Sequence, residues 1–123
     1  MDELRAHDPS EVADGLAEME FRLLASFDDG HAGVFWSEPR GPSPWEMHPD
    51  RDEMLQVLEG GIEVEVLPAD GGPGIKTRVS AGSFFVVPRG CWHRQHLLQR
   101  TKELFLTPGR TLHSTEDDPR RER

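Results

Sequence analysis

Residues 46–67 read EMHPDRDEMLQVLEGGIEVEVL, and the spacings inside this stretch decide the fold. In Ile62-Glu63-Val64-Glu65-Val66, β-branched side chains alternate with carboxylates, the period of a strand with one face in a core and the other toward water. Upstream, Glu46 and His48 are two apart and share one face if the chain there is extended. A tight turn or bulge over 49–52 lets Glu53, which opens the apolar run 53–58, point back to the same interior as His48. Gly60 and Gly61 then end that run with residues that tolerate positive φ.

The same alternation of short apolar runs and explicit turns extends in both directions. Strands are expected at 20–27, 32–37, 53–58, 62–67, 76–80, 84–87, 91–98 and 103–107, with 46–48 as a further extended segment. Asp28-Asp29-Gly30, Asp70-Gly71-Gly72-Pro73-Gly74 and Pro88-Arg89-Gly90 supply turn chemistry between them. Such a series suits an antiparallel sandwich or barrel. At the N-terminus Asp8 is placed to cap a short helix, with Pro9 at its first position, Glu11 three residues after the cap, and Val12, Leu16 and Met19 on one face. Gly15 weakens this helix. Residues 1–19 therefore read as an extension, 20–110 as one β domain, and 111–123 as a charged tail expected to be disordered from Ser114 onward.

A chain of 123 residues has room for one core. Its net charge of −9 counts against nucleic acid as a partner. Cys91 is the lone cysteine, which excludes an internal disulfide and Cys-rich zinc sites and points to a reducing, cytoplasmic setting; the thiol itself reads as buried and inert. The start of the chain lacks the apolar segment of a signal peptide, and no run is long and apolar enough to span a membrane.

The residues that carry chemistry are Glu46, His48, Glu53 and, from a distant strand, His93. Imidazole nitrogens and carboxylate oxygens gathered on one interior suit a divalent first-row metal ion. Gln95, in phase with His93, is a candidate to hydrogen-bond a ligand, whereas His96 points to the other face. Trp36, Trp45 and Trp92 are candidates to line the mouth of the barrel, with a place in the core as the plainer reading. His7, His31 and His113 fall in termini or turns and read as solvated.

These residues resemble the two motifs of the cupin superfamily, in particular its small microbial members. The first motif is His-x-His, three or four residues, Glu, six residues, Gly; here Glu46-x-His48, four residues, Glu53, six residues and Gly60 keep every spacing. In the second, Gly82, Pro88, Gly90 and His93 all fall in register. The resemblance covers about residues 20–110 and implies an all-β fold, an antiparallel double-stranded β-helix (jelly-roll) barrel. It also implies a divalent metal on His48, Glu53 and His93, a small organic ligand or substrate, and a homodimer. Two positions depart from the pattern, with Glu46 where the first histidine stands and Leu97 where a terminal asparagine stands.

Glu46 leaves two chemistries open. Bound beside Glu53 it neutralises the charge of a divalent ion, which weakens the Lewis acid and favours Mn(II) or Fe(II) over copper, with Zn(II) or Ni(II) as further options. Left unbound, it is a candidate general base beside a facial triad. By analogy with the family, the activity is that of a dioxygenase, isomerase, lyase or cyclase, and the alternative is a binding or sensing module without turnover. A different reading takes His48-Pro49-Asp50 as the His-x-Asp of a 2-oxoglutarate oxygenase, with Asp50 a ligand in place of Glu53.

Overall fold

The computed structural model describes residues 4–107 and 109–121. Helix α1 (Pro9–Asp14) begins as its sequence indicates, with the Asp8 carboxylate accepting the Glu11 N–H at 3.1 Å and Pro9 in the first turn. It ends at Gly15, too early for the expected apolar face to reach Met19. Ala13 and Leu16 are buried, but Met19 has φ of 64° and turns toward the cavity described below.

Ten strands follow: β1 (Arg22–Phe27), β2 (Gly30–Ser37), β3 (Trp45–Met47), β4 (Glu53–Glu59), β5 (Gly61–Val66), β6 (Ile75–Ser80), β7 (Phe84–Val87), β8 (His93–Leu97), β9 (Thr101–Thr107) and β10 (Leu112–Ser114). Every expected strand is present within a few residues of its expected ends. Among the described residues they form two five-stranded antiparallel sheets, ordered β1-β2-β9-β4-β7 and β10-β3-β8-β5-β6. This is the jelly roll, built as two facing sheets and not as one continuous hydrogen-bonded cylinder.

The core lies between the sheets. Ile62, Val64 and Val66 are 0%, 0% and 9% exposed, so the alternation in β5 points inward as read, and they pack with Phe35, Leu55, Val57, Val79, Val87 and Leu97. On the outer face Glu65 pairs with its cross-strand partner Arg94 at 3.0 Å, and the Arg94 guanidinium lies 4.2 Å over the Trp45 ring.

The chain passes repeatedly from one sheet to the other, through 48–52, 81–83, 88–92 and 98–100. The tightest crossing is Gly60 alone, between β4 and β5. Its φ is +92°, and a Cβ there would collide with the Arg100 carbonyl and with Thr101. The Thr101 hydroxyl holds the far side of the corner, accepting the Gly61 N–H at 3.2 Å.

The C-terminal segment departs from expectation. Instead of a disordered tail, Leu112, His113 and Ser114 pair with Met47, Glu46 and Trp45 to make β10. Beyond it Pro119 is buried, and the Arg120 guanidinium donates to the carbonyls of Pro68 and Gly72 at 2.7 and 2.8 Å while chelated by Asp118. Charged composition reads as solvated, yet turn carbonyls without strand partners offer a guanidinium a docking place. Residues 122 and 123 of that expected tail lie outside the described residues.

Gly60→Ala is expected to cost about 3 kcal/mol in urea denaturation, because left-handed strain and overpacking add. Gly71→Ala, at the same φ of +92° but in open space, should cost only about 1 kcal/mol. Equal losses would show that the close approach at the corner is unimportant.

Candidate metal centre

The crossings place the functional side chains. His48 directly follows β3, Glu53 opens β4, and His93 opens β8, where it is the register partner of Glu46 on β3. The two crossing turns are stitched together, since the Gly90 N–H donates to the His48 carbonyl at 2.8 Å and the Arg89 N–H to the Asp52 carboxylate at 2.9 Å. Residues far apart in the chain are thereby fixed against each other by backbone as well as by packing.

Glu46, His48, Glu53 and His93 each offer one donor atom, and these atoms lie within 4.8 Å of one another. His48 Nε2 is 3.1 Å and His93 Nε2 3.3 Å from Glu53 Oε1, with Glu46 Oε1 3.8 Å from His93 Nε2. The imidazole centroids are 5.3 Å apart. His48, Glu53 and His93 are almost fully buried, and Glu46 is half-buried.

Glu53, His48 and Glu46 are also held from outside, whereas the outer nitrogen of His93, Nδ1, is buried without a partner. The Thr107 hydroxyl donates to Glu53 Oε2 at 2.6 Å, Thr111 Oγ1 lies 3.0 Å from His48 Nδ1, and His113 Nε2 lies 3.2 Å from Glu46 Oε2. The opposite atom of each of these three side chains is left facing the centre, the arrangement in which outer partners orient metal ligands. The approach of His48 Nε2 to Glu53 has the length of an ion pair but not the alignment of a hydrogen bond, so this buried nitrogen has no hydrogen-bond partner. A buried, unpartnered imidazole nitrogen is costly unless a cation or proton satisfies it. Two nitrogen and two oxygen donors fit a divalent first-row ion.

The electrostatics agree. Burial pushes the Glu53 carboxyl up, but the two imidazoles and Thr107 outweigh it and hold the group down at about 2. Burial pushes the His48 imidazole down, and the neighbouring Glu53 and Glu46 carboxylates more than offset that, raising it above 6.5.

The centre opens onto a cavity of about 960 Å³. Phe21, Phe35, Leu55, Leu97 and Phe105 form apolar walls, and Gln95 also lines the cavity. Glu103 on β9 also lines it at 1% exposure, its carboxyl pushed up to about 8 by burial and by the charges of Glu53 and Glu46, against a hydrogen bond from Gln95. Sequence reasoning missed Glu103, because one glutamate at the edge of an apolar run is indistinguishable from surface alternation. It also missed Thr107 and Thr111, whose hydroxyls carry no pattern.

The tryptophans are elsewhere. Trp45 and Trp36 adjoin Glu46 and Phe35, so strand alternation turns them away from the cavity. Trp36 donates to the Leu16 carbonyl at 2.7 Å beneath Arg100, and Trp45 is buried under Arg94. Trp92 does not line the cavity either. Of the histidines read as solvated, His31 is half-buried in the cavity wall, edge-on to Phe105 at 6.2 Å, and His113 on β10 is exposed as read while also lining the cavity. Their positions come from long-range pairing that no local turn signal shows. His96 faces away, opposite Glu63. Asp50 is exposed and reaches toward Arg110 at 3.4 Å instead of joining the donor group, which removes the His-x-Asp reading.

Comparison with known proteins agrees with this architecture. A family model described as the cupin domain, Cupin_2, matches residues 34–98, more than half of the chain. No curated protein sequence matches. Among solved structures, a cupin-2 domain containing protein from Shewanella frigidimarina is similar at a TM-score of 0.64 and 21% identity, over 80% of this chain and 89% of that one. Hydroquinone 1,2-dioxygenase PnpCD, in complex with Cd2+ and 4-hydroxybenzonitrile, is similar at 0.63 and 18% identity, over 88% and 80%. An oxalate oxidase is similar at 0.53 and 25% identity, over 71% of this chain and 42% of that one. With its motif spacings, its two sheets and its match to the family over residues 34–98, the chain belongs to the cupin superfamily.

Proposed function

We propose that the chain is a metal-dependent enzyme that acts on a small organic molecule in the cavity, with His48, Glu53 and His93 holding a divalent cation. The observation that carries this is the gathering of four donor atoms within 4.8 Å at the wall of that cavity, with His48 Nε2 buried and unpartnered. The cation would supply Lewis-acid or redox chemistry to a bound ligand. Glu53 supplies a negative charge, Thr107 and Thr111 orient Glu53 and His48, and the apolar walls give a ligand a surface to pack against. Glu46, tethered through Oε2 to His113, keeps Oε1 available as a fourth ligand or as a base toward a bound molecule. With both carboxylates bound the shell is neutral, which favours Mn(II) or Fe(II), ahead of Zn(II) or Ni(II). Within the dioxygenase, isomerase, lyase and cyclase chemistries of the family, the dioxygenase and oxalate oxidase among the similar folds support the oxidative branch.

Glu46 at the first motif histidine favours a second reading, a ligand-binding or sensing cupin without turnover. Thermal shift separates the two: stabilisation by organic ligands in metal-free protein favours the binder, and stabilisation by Mn(II) or Fe(II) the metal site. A cytoplasmic homodimer belongs to the same proposal, and light scattering that gives the mass of one chain would remove the dimer.

After reconstitution with Mn(II) or Fe(II), elemental analysis should find about one equivalent in the wild type, about tenfold weaker binding in Thr107→Val, and none retained in Glu53→Gln. A wild type that takes up no metal would sink the proposal. The pH dependence follows from His48. Its folded value lies above 6.5, so in metal-free protein the protonated His48–Glu53 pair contributes stability that is full below 6.5 and is lost as pH rises through the raised value. A cation requires the neutral ring, so metal affinity grows over that same rise. The difference in Tm between metal-loaded and metal-free protein should therefore widen from pH 6 to pH 8, and a constant difference would count against His48 as a ligand.

A further inference from the structure

The cavity contains polar groups that the metal centre does not use. Gln95 on β8 and Glu103 on β9 belong to opposite sheets and both face the interior, close enough for Gln95 to act on the Glu103 carboxyl. One oxygen of each, Gln95 Oε1 and Glu103 Oε1, is fully buried and has no hydrogen-bond partner. Both residues line the cavity, and Glu103 is 1% exposed. Buried polar atoms of this kind cost stability unless something satisfies them, and here two belong to residues that line a space large enough for a ligand.

The surroundings define what that ligand is. Arg40 is the one lysine or arginine among the cavity-lining residues described, and it is engaged by Ser37 at 2.9 Å and Glu18 at 3.7 Å. Glu46, Glu53 and Glu103 face the same space, so apart from a metal no free positive charge awaits an anion. Phe21 and Phe35 stack at 4.4 Å, with Phe105 6.3 Å from Phe35, and present flat apolar faces suited to a ring.

We propose that Gln95 and Glu103 form a hydrogen-bonding subsite for the hydroxyl of an uncharged, flat organic ligand, of which a phenol is the simplest case. This rests on the reading of the cavity as a ligand site and names its ligand class. A hydroxyl both donates and accepts, so it can give its proton to Gln95 Oε1 and take a hydrogen bond from the protonated Glu103 carboxyl, whose elevated pKa keeps it neutral. A carboxylate offers acceptors only, leaves Gln95 Oε1 unpartnered, and adds negative charge beside the Glu46 and Glu53 carboxylates.

Calorimetric titration at pH 7 with 4-methylphenol and 4-methylbenzoate tests this, with metal content read on the same samples. Wild type should bind 4-methylphenol at least about tenfold more tightly than 4-methylbenzoate, and Glu103→Leu should lose about tenfold in affinity for the phenol. Glu103→Gln, which still donates and accepts, should stay within about threefold of wild type. Gln95→Leu should lose about tenfold as well, which keeps the test open if Glu103→Leu does not fold. The proposal is overturned by no saturable binding of 4-methylphenol to wild type, by 4-methylbenzoate binding equally well, or by Leu variants that bind the phenol unchanged. Wild type that holds no metal would instead sink the metal-centre reading, so the two failures are distinguishable.

Discussion

A negative charge at Glu53, almost wholly buried between two imidazoles, is the constraint around which the rest is arranged. A carboxylate in such a place is costly unless positive charge and hydrogen bonds meet it. Thr107 meets one oxygen, and the other is left to whatever sits between His48 and His93. Protons and divalent cations compete for that position, and the same geometry serves both.

Holding these groups together is a matter of sheet-to-sheet crossings. The jelly roll brings the starts of β4 and β8 beside the end of β3, so side chains forty residues apart in sequence share one interior. The crossings are short and braced by backbone hydrogen bonds, as between Gly90 and His48, which limits how far the donors can drift. First-row ions tolerate little variation in bond length, so this rigidity matters more to the site than the size of the core beneath it.

Much of this was legible in the chain. The period of two in β5 is a direct consequence of strand geometry, and the spacings around His48, Glu53 and His93 record the crossings, because each glycine or proline must sit where the backbone turns. Parity would also have turned Trp45 away from the cavity, had it been applied there as strictly as to Glu46 and His48. What was not legible depends on partners distant in sequence. β10 forms because β3 offers a free edge, Arg120 docks because the 68–72 turn has spare carbonyls, and Glu103 becomes a cavity residue only when β8 faces β9. None of these conditions is local, and composition alone suggested the opposite for two of them.

The contribution of residues 111–113 has a consequence for the order of assembly. Glu46, His48, Glu53 and His93 all precede Thr111 and His113 in the chain, and synthesis proceeds from the N-terminus. On the ribosome the donors emerge first, while the groups that hold His48 and Glu46 from outside arrive afterwards. Until β10 pairs with the edge of β3, His48 and Glu46 therefore lack the partners that hold them from outside.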